Sequence, residues 1–244
     1  MGDYRETVTI MDINFINTTK EKLINLHLLP RMLRGDKCFV VTANPEIVMK
    51  TRDDSKYKKV VQAANYVIPD GAGILIAGQY MKTPIRERIP GFDLMLDILR
   101  LAEKEGLSCY FLGGTQSVNE QVVVEVQKRH PTLKIAGNHH GYFTITDPGI
   151  ARKMVEAKPD IVFVALGFPT QEKWIARYMD KFSKGLFMGV GGSFDVLAGE
   201  VKRAPNGWIK LNLEWLYRLL KQPFRWKRIL KVFEFGFRVF LKRY

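Results

Sequence analysis

Cysteine is nearly absent from this 244-residue chain, with Cys38 and Cys109 the whole supply. Both lie inside apolar, strand-like runs, which suits buried free thiols and excludes a disulfide framework or a cysteine-built metal site. No stretch approaches about 18 uninterrupted apolar residues, so no transmembrane helix is expected. The opening Met1-Gly-Asp-Tyr-Arg-Glu6 lacks a basic region followed by an apolar one, so no secretory signal is expected, and the compartment should be the reducing cytosol. Histidine is scarce, at four residues. The adjacent His139 and His140 have neither i, i+4 spacing nor a nearby Cys or Glu cluster, and read as loop residues. Asp53-Asp54 precede Ser55 between two helical stretches and read as a helix cap. No metal and no cofactor is expected.

Acidic residues are almost missing from the last 44 positions. Val201–Tyr244 holds 12 Lys or Arg against Glu214 and Glu234 alone, +10 of a formal chain charge of +13, whereas the first 200 residues are close to balanced. Ten aromatics share that segment. From Trp226 onward, Leu230, Phe233, Phe237, Phe240 and Tyr244 follow at helical spacing and form one stripe, with Arg228, Lys231, Arg238 and Lys242 opposite. A Trp/Phe/Leu face backed by a basic face is the pattern of a helix lying in a membrane interface. The alternative is a terminal helix whose stripe packs on the body or on a second copy. Nucleic acid is not expected, because basic-aromatic stacking surfaces sit on sheets and grooves rather than on a two-faced helix. Pro223 is expected to separate this helix from the one before it.

The body, 46% hydrophobic in composition with the tail, alternates strand-like and helix-like runs. Strands are expected at Lys37–Thr42, Tyr66–Ile68, Ser108–Leu112, Lys134–Ala136, Asp160–Leu166 and Leu186–Val190. Helices are expected from Pro45 behind an Asn44 cap, and at Ser55–Ala64, Gly91–Glu105, Ser117–Arg129, Pro148–Ala157 and from the Gly167–Gln171 turn to about Met179. This alternation predicts an α/β, Rossmann-like, mostly parallel sheet with helices on both faces, and a C-terminal helical appendage. The division expected is residues 1–204 as catalytic core and 205–244 as a basic amphipathic membrane-associating appendage.

Ligands of such sheets sit outside the carboxyl ends of the strands, and several expected strands end in chemically loaded turns. Gly189-Val-Gly191-Gly192-Ser193-Phe-Asp195 could bring backbone N–H groups to a phosphate or be a plain tight turn; Phe194 breaks a G-x-G-x-x-G frame. Asp70, between Pro69 and Gly71, is first of all turn chemistry, yet a carboxylate on that edge is also placed to act as a general base. Arg86 and Arg88, between Pro84 and Pro90, could clamp a diphosphate or remain solvated.

Taken together, the motifs resemble one family. Val41-Thr42-Ala-Asn44-Pro45-Glu46, Pro69-Asp70-Gly71-Ala-Gly73, Arg88-Ile-Pro-Gly91-Phe-Asp93, Phe111-Leu-Gly113-Gly114, Leu166-Gly167-Phe-Pro169-Thr-Gln171-Glu172-Lys-Trp174, Gly189–Asp195, Arg203-Ala-Pro205 and Leu213-Glu-Trp215-Leu-Tyr217-Arg218, in this order, resemble the WecG/TagA/CpsF glycosyltransferases over nearly the whole chain. The resemblance implies an inverting, metal-independent transfer of N-acetylmannosamine from its UDP donor to the 4-hydroxyl of N-acetylglucosamine on undecaprenyl diphosphate. The β-(1,4) product belongs to the linkage unit of wall teichoic acid, made by a peripheral enzyme on the cytoplasmic face of the membrane. Relatives using the uronic acid or glucose are the alternative. On this resemblance Asp70 is the expected base. Arg88, Arg218, Arg225 and Arg228 are expected to stabilise the departing UDP, Thr42, Asn44 and Gln171 to position sugar or acceptor, and Gly191, Gly192 and Asp195 to form the nucleotide end. A homo-oligomer through the apolar stripe is a further expectation. Two readings from other classes are a nucleotide-binding oxidoreductase, opposed by the broken glycine frame, and a non-enzymatic membrane-surface adaptor.

Overall fold

The computed structural model describes residues 6–211, 213–221 and 226–241. An antiparallel hairpin comes first, β1 (Thr7–Ile10) and β2 (Ile13–Ile16), followed by α1 (Lys20–Lys22), a π-helical segment (Leu23–Leu28) and α2 (Leu29–Arg34). Then come β3 (Cys38–Ala43), α3 (Pro45–Asp53), α4 (Ser55–Gln62), β4 (Tyr66–Pro69), α5 (Ala72–Tyr80) and α6 (Gly91–Lys104). The second half runs β5 (Ser108–Gly113), α7 (Gln116–Arg129), β6 (Lys134–His139), α8 (Pro148–Ala157), β7 (Ile161–Ala165), α9 (Thr170–Tyr178), β8 (Leu186–Gly189) and α10 (Ser193–Leu197). The appendage supplies α11 (Asn206–Lys210), α12 (Glu214–Lys221) and α13 (Trp226–Phe240).

Six strands pair in the order β4-β3-β8-β7-β5-β6, every pair parallel. Alternating side chains feed two cores. Phe39, Val41, Leu112, Val162, Val164 and Phe187 face one layer, which holds Trp174 of α9 and Tyr57 of α4. Val40, Phe111, Ile161, Phe163 and Met188 face the other, which holds Leu94 and Ile98 of α6 and Val122 of α7. Strands buried on both sides must read as continuous apolar runs, and these do. Cys38 and Cys109 are fully buried free thiols, one on each of two inner strands. Burial pushes the Cys38 thiol up to about 12.

Most expected elements lie where the sequence put them. Asn44 caps α3 by accepting from Ile47 N at 3.0 Å, and Asp54 caps α4 by accepting from Tyr57 N at 2.9 Å. Four features differ. The β1–β2 hairpin, the helical stretch from α1 to α2 and α5 were not anticipated, and β6 extends through Asn138 to His139, which makes that histidine the end of a strand rather than part of a loop.

The appendage lies against the body. α13 packs on α3 and α5, with Phe235 and Val239 inserted into the first core layer. Phe235 stands about 180° around the helix from the aromatic stripe. The stripe is turned outward: Leu230, Phe233, Phe237 and Phe240 are between 55% and 65% exposed. Lys231, from the expected basic face, reaches Asp53 of α3 at 3.3 Å and Glu234 at 3.0 Å, and Arg238 pairs with Glu234 at 2.9 Å. Thus the face opposite the stripe is the docking face and is partly neutralised. Pro223 and Tyr244 lie outside the described residues. No helix among the described residues is long and apolar enough to cross a membrane.

Candidate active site

The carboxyl ends of β3, β4 and β8 form one edge, and backbone contacts hold their turns together. Asp70 N–H donates to Ala43 O at 3.0 Å, which fixes the turn after β4 against the end of β3. Gly71 can follow because its φ of 116° needs no side chain, and Gly73 lies so close to Pro45 that a Cβ would meet Pro45 Cγ at 2.7 Å. The Asp70 carboxylate accepts from Gly91 N at 3.2 Å and so sits at the head of α6. Gly91 in turn packs on Thr42, where a Cβ would come within 3.1 Å of Oγ1.

Thr42 Oγ1 donates to Gly189 O at 3.2 Å, which joins β3 to β8. Asn44 spends Oδ1 on its cap, and its Nδ2 makes no hydrogen bond among the described residues. A hydroxyl, an amide and a carboxylate therefore share one edge, set by strand ends rather than by a long loop.

Across Gly189 lies the glycine turn. Gly191, with φ of 49°, donates its N–H to Gln171 Oε1 at 3.0 Å. Gln171 Nε2 donates to Glu172 Oε1 at 2.7 Å, and Tyr57 Oη donates to Glu172 Oε2 at 3.1 Å. Gln171 and Glu172 are 4% and 1% exposed. The Gly191 amide is thus engaged within the protein, and Gln171 is buried with both ends of its amide occupied. Asp195 follows in the first turn of α10, with Oδ2 3.5 Å from where a Gly192 Cβ would stand.

Arg88 enters from the loop before α6. Ile89 N–H donates to Pro69 O at 2.9 Å, which places Arg88 beside the Asp70 turn. Its guanidinium donates to Glu214 of α12 at 3.1 Å. Arg203 pairs with Asp93 at 2.7 Å and lies 4.9 Å over the Phe92 ring. These two contacts carry the chain from body to appendage along the site edge. Arg225 lies outside the described residues, as do the side chains of Arg218 and Arg228.

The structure thus brings Thr42, Asn44, Asp70, Arg88, Gln171, Gly191, Gly192 and Asp195 to one edge of the sheet. Sequence reasoning missed Glu172, Tyr57 and Glu214. Glu172 stands inside a quoted motif, but only its burial beside Tyr57 distinguishes it from an ordinary first-turn glutamate.

Comparison with known proteins identifies the family. The model of the Glycosyl transferase WecG/TagA/CpsF family matches residues 8–244. An N-acetylglucosaminyldiphosphoundecaprenol N-acetyl-beta-D-mannosaminyltransferase of Staphylococcus aureus strain MRSA252 is 38% identical over 223 residues, 91% of this chain and 86% of the relative. The protein of the same name from strain MW2 shows the same identity and coverage. With residues 8–244 matched by the family model and 91% of its length aligned to these relatives, the chain belongs to the WecG/TagA/CpsF family of glycosyl transferases.

Proposed function

We propose that the chain transfers N-acetylmannosamine from its UDP donor to N-acetylglucosamine on undecaprenyl diphosphate, with inversion, at the inner face of the cell membrane. The observation that carries this reading is the Asp70 carboxylate, held at the head of α6 beside Thr42 and the Asn44 Nδ2 that makes no hydrogen bond among the described residues.

In the reaction the acceptor 4-oxygen attacks the anomeric carbon from the face opposite UDP. The new C–O bond forms as the bond to the diphosphate breaks, and the hydroxyl proton passes to Asp70. Asn44 Nδ2 donates to a sugar oxygen and Thr42 closes the wall behind it. UDP leaves with its electron pair, and the developing charge needs donors already in place. Arg88 supplies one from beside the turn, and Arg218, Arg225 and Arg228 of the appendage supply others. Asp195 suits a ribose or sugar hydroxyl better than a phosphate, because two anions would repel.

The outward stripe of α13 continues onto α5, where Ile76 and Tyr80 are exposed and the Tyr80 ring lies 5.4 Å from that of Phe240. An apolar aromatic patch of this extent on a chain of formal charge +13 suits an anionic bilayer surface. This surface is where a lipid-linked acceptor resides.

The test is a transfer assay with a short-chain lipid-diphosphate acceptor and three donors: UDP-N-acetylmannosamine, its uronic acid and UDP-glucose. Turnover with the first alone supports the reading, preference for another reassigns the donor, and no transfer from any returns the chain to a membrane-surface adaptor.

A further inference from the structure

Glu172 is the most deeply buried carboxyl group near the site, and the transfer chemistry gives it no direct part. It is 1% exposed and accepts two hydrogen bonds, from Tyr57 Oη and from Gln171 Nε2. Burying a carboxyl group is costly unless its acceptor sites are filled. Here the filling determines something else, the direction in which the Gln171 amide faces.

A backbone N–H can only donate, so Gly191 requires the oxygen of Gln171, at 3.0 Å. The Gln171 nitrogen must then find an acceptor, and Glu172 Oε1 is that acceptor. Without it the buried amide nitrogen loses its acceptor, and the Gly191 N–H alone holds the oxygen toward the turn. Gly189 is part of the same fit: a Cβ there would lie 2.6 Å from Gln171 Nε2 and 3.1 Å from Glu172 Oε1. Strand β8 thus has glycine where the amide and carboxyl group press against it.

We propose that Glu172 and Tyr57 are positioning residues for the donor side of the site, acting through Gln171 to hold the Gly191–Gly192 turn in the shape that receives the nucleotide. This rests on the glycosyl-transfer reading above. Gln171 is then a brace of the turn, a different role from the substrate contact expected of it.

Burial pushes the Glu172 carboxyl group above the ordinary range. Either protonation state serves. The carboxylate accepts from both donors, whereas the protonated acid turns its O–H to Tyr57 Oη and still accepts from Gln171. Glu172→Gln can imitate the second arrangement, with its nitrogen toward Tyr57 and its oxygen toward Gln171. Glu172→Leu cannot.

The experiment measures UDP affinity by calorimetry, the KM for donor and acceptor separately, and hydrogen exchange at the Gly191 amide. It uses the full chain and Glu172→Leu, Glu172→Gln, Tyr57→Phe and Gly189→Ala. Glu172→Leu and Gly189→Ala are expected to weaken UDP binding and raise donor KM by about tenfold or more. Acceptor KM stays the same and Gly191 exchange quickens. Tyr57→Phe gives a smaller change of the same kind, and Glu172→Gln restores most of the affinity. If Glu172→Leu does not fold, Tyr57→Phe and Gly189→Ala decide the matter. Unchanged UDP affinity and donor KM in the folded variants overturn the brace alone. Absence of UDP binding by the unsubstituted protein overturns the transfer reading beneath it.

Discussion

Arg88 and Glu214 meet at 3.1 Å with side chains only 12% and 11% exposed, and this pair ties α12 of the appendage to the loop beside Asp70. Removing one partner leaves a charge with little water to solvate it. Glu214→Ala is therefore expected to cost roughly 3 kcal/mol. It should also open the appendage to limited proteolysis after residue 204. A double substitution, Arg88→Met with Glu214→Met, should recover part of the stability. A single-mutant melting temperature equal to that of the unsubstituted protein would show that the pair does not hold the appendage.

Asp70→Asn tests the base. The amide keeps an oxygen for Gly91 N–H, so the fold should be retained, with a melting temperature near that of the parent. Transfer should fall by about 10²-fold or more, the range ascribed to a positioned proton acceptor. Normal turnover in the purified variant assigns the proton to another group.

The two faces of α13 can be separated by substitution. Phe235 is 1% exposed, and Phe235→Ala should destabilise the protein by roughly 3–5 kcal/mol. Phe233 and Phe237, at 64% and 65% exposed, contribute little to folding. Phe233→Ser with Phe237→Ser should leave the melting temperature in place and sharply reduce sedimentation with anionic liposomes. Equal liposome binding by that double variant removes the stripe from the membrane account.

Acid sensitivity should originate at the opposite end of the sheet. Burial pushes the Asp160 carboxyl group up, but the Lys184 ammonium and the Ser108 N–H and hydroxyl outweigh it and hold the group below the ordinary carboxylate range. A carboxyl group lowered in the fold adds stability above its unfolded value, about 3.9. That stability is lost as pH falls through the folded value. Asp160→Asn should therefore be less stable than the parent at pH 6, with the difference closing below about pH 4. Denaturant melts across that range provide the check, and a constant difference at every pH contradicts the assignment.

The strands of the central sheet were legible because burial on both faces leaves a continuous apolar signature. The hairpin was not, although its burial alternates, because its turn is Met11-Asp12 with φ of 49° and 60°. Such turns are ordinarily announced by Asn-Gly. Helix α5 was hidden by Gly73 and Gly78, which read as breakers yet permit close approach to Pro45 and to Thr83 O. At the site, Asp70 and Asn44 were visible as turn and cap residues. The Tyr57–Glu172 contact joins residues 115 positions apart, and no local pattern signals a pairing of that kind. The tail helix was legible as two-faced, but its orientation was not, because Phe235 and Val239 sit among the charges of the face expected to be polar.

Helix α5 has one end at the Asp70–Gly71 turn and the other at Tyr80, whose hydroxyl donates to Phe240 O at 3.0 Å. Nine residues of α-helix span about 14 Å. On the proposed reading, with Asp70 as base and the stripe of α13 in the lipid headgroups, α5 is the rigid element that joins the two. On that reading the separation of membrane-facing stripe and base is set by a rigid helix instead of a flexible tether.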